Sequence, residues 1–427
     1  MTPSGSARTA AWLCAGLAAC ASSGSVGAGP PATSAAPGAA SPSPTTAPST
    51  PGASTTPTAS AAPSTGPRGP LSPLHDALRG LERGTLGRHA RIVWLGDSHA
   101  QADFWTGGLR RALQRRFGNA GPGFVHLGMA RYRHDAVELA LDGSWRMRPR
   151  MPSTTERMGD GRYGLGGILH GAYGGARTAT MTLRDDELRD KRIRWDLCVK
   201  ASSAKDRLTL EVGDASEVVD GARAPAGTLV HLERETPGAH RIRVRMNAGS
   251  ADLCGVYVAT DPAERPGVLV DNLGINGARY ATALAWDEQS WAAELRRRPT
   301  DLVVLEYGGN EASDPTPRPE AYRRDAEALI AWVRRAAPEA GCIVVGPADR
   351  ADKEATIPLV VKATRDAAAA SGCAFWDTWA KMGGKGSLAR WREEKKAAPD
   401  GIHLFPKGYA EVAALFTEDL LAGYVRE

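Results

Sequence analysis

The stretch that most constrains the fold is Arg91-Ile-Val-Trp-Leu-Gly-Asp-Ser-His-Ala100. Its apolar, β-branched run stops at Gly96-Asp97-Ser98. The segment that follows carries Leu109, Ala112, Leu113 and Phe117 on one face and Arg110, Arg111, Arg115 and Arg116 on the other. That pattern predicts a strand, a tight turn and a helix. A continuously apolar strand is one covered on both faces, as in a parallel sheet, and in open α/β sheets ligands meet the carboxyl ends of the strands. Ser98 therefore stands where a nucleophile is useful, although Ser98 with Gln101 also fits a capping box and Asp97 fits a helix cap.

The same texture returns after residue 266. Val268-Leu-Val-Asp271, Leu302-Val-Val-Leu305, Ile343-Val-Val345 and Ala374-Phe-Trp376 read as four more buried strands. Amphipathic segments separate them, among them Tyr322, Ala326, Leu329, Ile330 and Val333, and finally Tyr409, Val412, Leu415, Phe416 and Leu420. The prediction is an α/β fold with a five-stranded parallel sheet flanked by helices, of flavodoxin-like kind. Between its two parts, from about residue 129 to 265, the pattern changes to period two. Ile193, Trp195, Leu197 and Val199, then Leu208, Leu210 and Val212, then Ile242, Val244 and Met246 alternate with polar residues. Short alternating strands of this kind predict an inserted antiparallel β-sandwich, jelly-roll-like in character. The α/β domain is thus expected in two parts, 71–128 and 266–427. The glycine-rich segment 159–175 lacks the Gly-Lys-Ser/Thr of a phosphate loop and reads as loop structure.

Three further stretches fall at expected strand ends: Asn272-Leu-Gly-Ile-Asn-Gly277, Glu306-Tyr-Gly-Gly-Asn-Glu311 and Asp400-Gly-Ile-His403. With Ser98 they supply what acyl transfer needs, namely a nucleophile, a base with an orienting acid, and donors for an oxyanion. His403 would take the serine proton and Asp400 would hold the imidazole. Two-step acyl transfer of this kind calls for no cofactor.

These blocks resemble the SGNH, or GDSL-type, hydrolase superfamily. Gly96-Asp-Ser98, Gly277, Gly308-x-Asn310 and Asp400-x-x-His403 match its blocks in order. The resemblance implies Ser98 as nucleophile, His403 as base and Asp400 as orienting acid, with an oxyanion hole from the Ser98 amide, the Gly277 amide and the Asn310 side chain. Gly274 is the alternative to Gly277 in the second block. Glu311 departs from the Asp that commonly follows the family's Asn, which bears on local loop packing. A narrower similarity, carried by Gly96-Asp-Ser-His-Ala-Gln-Ala-Asp-Phe-Trp105, Gly121-Pro-Gly-Phe124 and the position of the β insertion, is to bacterial peptidoglycan O-acetylesterases, whose split catalytic domain carries a carbohydrate-binding-like module. It implies an acylated polysaccharide substrate. An O-acetyltransferase with the same residues, and a non-catalytic carbohydrate-binding surface protein, are the competing readings.

At the amino terminus Arg8 precedes a short apolar run ending in Leu17-Ala18-Ala19-Cys20, too short to span a bilayer. It resembles a bacterial lipoprotein signal, over residues 1–19, and implies a lipidated Cys20 at the membrane; an ordinary secretory signal is the alternative. Residues 20–70 are Ala, Ser, Thr, Pro and Gly with almost no large apolar side chain, a composition that predicts a disordered tether at the cell envelope. Beyond the signal and Cys20, four cysteines remain, Cys198, Cys254, Cys342 and Cys373; they have no metal-ligand spacing, so no metal is expected. In an exported protein they permit disulfides, Cys342 with Cys373 if their strands are neighbours and Cys198 with Cys254 in the β region, with four free thiols as the alternative. A net charge of +5 over 427 residues is mild, and the arginines are spread over helix and strand faces rather than gathered in a patch. Nucleic acid is therefore not an expected partner, and no obligate protein partner is implied.

Overall fold

The computed structural model describes residues 69–172 and 177–424. The signal segment, Cys20 and nearly all of the expected tether lie outside them. No described helix is long and apolar enough to cross a membrane.

Five parallel strands form the α/β sheet: β1 (Ala90–Gly96), β2 (Val268–Gly274), β3 (Leu302–Glu306), β4 (Gly341–Val345) and β5 (Ala374–Trp376). Their spatial order is β2-β1-β3-β4-β5. The chain steps from β1 to one side and then returns past it to the other, so the strand order reverses between β1 and β3. That reversal opens the crevice where open α/β sheets bind ligands. The register places Gly96 between Gly274 on one neighbour and Glu306 on the other.

Alternation along β1 explains the two cores. Ile92 and Trp94 face one side with Leu109, Leu113, Val270, Val304, Tyr409 and Phe416. Val93 and Leu95 face the other with Leu269, Val303, Leu305, Leu329 and Ile330. Both faces are covered, which is why these strands are apolar throughout.

The inserted region is a sandwich of two antiparallel sheets. One holds Trp145–Arg148, Leu169–Ala172, Asp252–Thr260, Arg192–Lys200 and Leu229–Pro237, and the other holds Val137–Asp142, Arg177–Leu183, Arg241–Ala248, Arg207–Val212 and Ala215–Asp220. Trp195, Leu197, Leu210, Ile242 and Val244 pack between them. The strand Gly123–Val125, ahead of residue 129, also pairs into this module, against Val256–Val258. Asp252–Thr260 is buried at every position. One of its faces meets the sandwich core through Leu253, Val256 and Val258; Cys254, Tyr257 and Ala259 join the core of the α/β part. The described residues accordingly form a single compact unit.

Cys342 and Cys373 precede paired residues on β4 and β5 and are disulfide-bonded, with Cα atoms 4.8 Å apart. Cys198 and Cys254 are bonded across neighbouring strands, Cα atoms 5.1 Å apart, at a shift in strand register between Leu253 and Gly255.

Candidate active site

Four loops at the carboxyl ends of the strands converge on the crevice. The first is the turn after β1. Gly96 is required there, because a Cβ would stand 2.5 Å from Glu306 Oε2 and 2.7 Å from the Ala100 Cβ. The Asp97 side chain, not that of Ser98, caps the following short helix, Ser98–Gln101, by accepting from the His99 amide at 2.9 Å. The Ser98 hydroxyl is thus left for other work. Its Oγ lies 2.8 Å from His403 Nε2, and His403 Nδ1 lies 2.7 Å from Asp400 Oδ2.

The loop carrying Asp400 and His403 folds back on itself at Gly401, whose φ of +76° suits glycine. Asp400 Oδ1 accepts from the backbone N–H groups of Ile402 and His403, both at 2.9 Å. Burial disfavours the Asp400 charge, but these amides and the imidazole outweigh it and hold its pKa below the usual carboxylate value. One carboxylate therefore fixes both the loop and the ring it orients.

Gly277 sits in the turn after β2 with φ +77°, and its N–H has no acceptor among the described residues. Gly274 is different: its N–H donates to Asn272 Oδ1 at 3.0 Å, and a Cβ there would meet the Gln101 backbone at 2.3 Å. Between these two glycines, only Gly277 offers a free donor. Gln101, on the same short helix as Ser98, accepts from the Asn276 amide and ties this turn to Ser98.

Asn310 follows β3. Its Nδ2 donates to Ala278 O at 3.0 Å and to Asp97 Oδ2 at 3.2 Å, so its amide faces both neighbouring turns. Glu311, the departure from the family pattern, is buried and reaches two loops at once. It accepts from the Tyr280 amide at 2.9 Å and from the Gly308 amide at 3.0 Å.

The floor of the crevice is acidic. Burial pushes Asp97 up to about 6 and Glu311 up to about 7, and burial together with the nearby Asp97 charge raises Glu306 well above the usual range. Glu306 accepts from the Asp97 amide at 3.2 Å. His99 is buried beside His403, ring centres 5.3 Å apart, with its Nδ1 3.0 Å from the Tyr409 hydroxyl. Burial, then the neighbouring His403, lowers His99 to about 3, so it is a neutral ring at ordinary pH.

Two contributors were not visible in the sequence motifs. Arg350, in the loop after β4, donates from Nη1 to Gly309 O and to Ser313 Oγ, both at 2.7 Å, and thereby pins the turn that carries Asn310. Its signal was its place at a fourth strand end. Ser153 comes from an arm of the inserted module. Its carbonyl accepts from Thr282 Oγ1 at 3.0 Å, and its Oγ lies 3.2 Å from where a Gly277 Cβ would stand. Met151 and Met158 on the same arm are exposed.

Two clusters away from this site have metal-like composition among the described residues, and neither suits an ion. In Cys198, His231 and Glu294 the sulfur is spent in a disulfide. In Asp103, His134 and Asp135 the carboxylates are already paired with the Arg110 and Arg111 guanidiniums.

Residues 237–411 match the family model described as GDSL-like Lipase/Acylhydrolase family. The match spans the blocks of Gly277, Asn310 and Asp400–His403 and excludes Ser98, which the inserted module separates from them in sequence. Among solved structures, a peptidoglycan O-acetylesterase superposes with a TM-score of 0.68 and 26% identity, over 82% of this chain and 95% of that one. An acetyl-xylooligosaccharide esterase from Geobacillus Stearmophilus, 18% identical, gives 0.31 over 38% of this chain and 77% of that one. A family two carbohydrate esterase from Clostridium thermocellum, 12% identical, gives 0.28 over 60% and 96%. No curated protein matches. Taken with the crevice, the family match and the first superposition define a carboxylic ester hydrolase. More narrowly, the chain is an SGNH-type esterase with an inserted β module, structurally close to a peptidoglycan O-acetylesterase.

Proposed function

We propose that this esterase removes O-acetyl groups from a cell-envelope polysaccharide such as peptidoglycan, through an acyl-enzyme on Ser98. The observation that carries the mechanism is the unbroken run from Ser98 Oγ to His403 Nε2 at 2.8 Å and from His403 Nδ1 to Asp400 at 2.7 Å. Ser98 Oγ bonds to the acetyl carbon as its proton passes to His403 Nε2. The carbonyl oxygen becomes an oxyanion, met by the amides of Ser98 and Gly277 and by Asn310 Nδ2. The Ser98 amide, at the first helical position, has no intrahelical acceptor. Of the two Asn310 contacts, the 3.2 Å one to Asp97 is the longer and the one an oxyanion would displace. Collapse returns the His403 proton to the departing sugar oxygen, and water then repeats the sequence to release acetate.

The polymer substrate rests on the similarity to a peptidoglycan O-acetylesterase and on the arm bearing Ser153, which brings the inserted module to the rim of the crevice. The proposed location is the envelope, with the chain held to a membrane by lipid on Cys20; a Cys20→Ser variant would then leave the membrane fraction.

The test is acetate release from O-acetylated peptidoglycan and from a small chromogenic acetyl ester, by the wild type and by Ser98→Ala. Release from both, abolished in the variant, is the expected result. Turnover of the small ester alone would overturn the polymer assignment, and turnover indifferent to Ser98 would overturn the mechanism.

A further inference from the structure

A second cleft, of about 570 Å³, lies between the α/β part and the inserted module. It is far from the serine. Arg91 lines it near the start of β1, and Gly96 ends that strand five residues later, roughly 17 Å away at about 3.3 Å per residue. The sequence spreads arginines along separate elements and implies no dense patch, but the fold gathers six of them here: Arg88, Arg91, Arg194, Arg234, Arg297 and Arg298. The spacing in sequence hid this, because the six come from both parts of the molecule.

Each guanidinium carries five N–H donors and each of the six has a carboxylate partner: Asp301 for Arg88, Asp271 for Arg91, Asp261 and Glu235 for Arg194, Glu217 for Arg234, and Asp196 for both Arg297 and Arg298. Asp196 alone serves Arg297, Arg298 and His231. Two polar atoms on lining residues are buried with no partner: Nη2 of Arg91, which is 1% exposed, and Oγ1 of Thr260, which is 4% exposed. Buried groups left unsatisfied are costly, and a bound ligand is one way proteins satisfy them. Arg298 lies over the Tyr257 ring with its Cζ 3.7 Å from the centroid, and Arg91 stands 5.7 Å from the same ring. The volume falls in the range of small-molecule sites, which favour junctions between domains.

We propose that this cleft binds a ligand carrying two or more carboxylate or phosphate groups on a body with an apolar face. The lining contains arginine and no lysine, the choice that suits planar, two-point recognition of oxoanions. The apolar face packs against Pro262 and Pro299, and the anionic groups reach the guanidiniums around them. The site is separate from the esterase crevice and does not depend on how that crevice is read.

The test titrates citrate and inorganic pyrophosphate into the full chain, followed by calorimetry. Saturable one-to-one binding is expected, weaker at higher salt and unchanged in Ser98→Ala. The double variant Arg194→Gln/Arg297→Gln should weaken it tenfold or more while leaving hydrolysis of a small acetyl ester intact, which shows that the fold survives. Tighter binding of citrate assigns carboxylates, and tighter binding of pyrophosphate assigns phosphates. No saturable binding of either probe, or binding equal in the double variant, overturns the proposal.

Discussion

The two ends of the parallel sheet collect different side chains, carboxyls at one and guanidiniums at the other, for one physical reason. At the carboxyl ends of the strands, helices begin and free N–H groups point into the crevice, so carboxylates are welcome there. Asp97 accepts from the His99 amide, and Glu311 accepts from the amides of Tyr280 and Gly308. At the amino ends, helices finish and free carbonyls collect, so guanidiniums are welcome. Arg91 donates to Leu295 O and Arg298 O past the end of helix Glu288–Arg296, and Arg296 donates to Ala336 O and Arg335 O at the end of helix Pro319–Ala336. Direction of chain thus sorts acid from base before any function is considered. The proposed catalysis uses the acidic end, where Ser98, His403 and Asp400 are linked.

The comparison breaks most sharply if a residue from one end behaves like one from the other. At the acidic end, Asn310→Ala should lower kcat on a small acetyl ester by about 10² to 10³, the usual loss for one oxyanion donor, with little change in thermal midpoint. Near-normal turnover would remove Asn310 from the mechanism. At the basic end, Arg91→Met should act on stability instead. It leaves Asp271, fully buried, without the guanidinium now 2.7 Å away, at a cost of about 3–5 kcal/mol by urea unfolding, while kcat of the folded enzyme stays within about twofold. A large loss of kcat at unchanged stability would contradict the division.

Glu311→Gln tests the acidic end more finely. Its pKa is raised by burial to about 7, so the folded chain holds a proton that the unfolded chain releases near its ordinary value. The stability this adds is complete below roughly 4.5 and is lost as pH rises through about 7. The variant should therefore show a smaller fall in thermal midpoint between pH 5 and pH 8 than the wild type. An equal fall would place the proton elsewhere in the carboxyl group cluster.

What was readable in the sequence was local or periodic. The apolar runs of β1 to β4 marked buried strands because both faces of the sheet are covered, and Gly96-Asp-Ser98 and Asn310 sit at strand ends that the pattern itself located; Asp400-x-x-His403 does not, since helices Thr378–Met382 and Ser387–Glu393 separate it from β5. The choice of Gly277 over Gly274 needed the structure, since it turns on which amide is already bonded. Arg350 and Ser153 were hidden because their roles arise from contacts with residues 37 or more positions away in the chain. The strand Asp252–Thr260 did not show a clean alternation because it is covered by the sandwich on one face and by the α/β part on the other. The cleft of arginines was the least readable feature, being made only when the inserted module closes on the sheet.

The most direct test of the central claim is to trap the nucleophile. The full chain is treated with a serine-directed phosphonate ester, digested and mapped by mass spectrometry, with His403→Ala run in parallel. A single adduct on the peptide containing Ser98, formed far more slowly in His403→Ala, is the result this account predicts. An adduct on another serine, or labelling of Ser98 that is indifferent to His403, would contradict it.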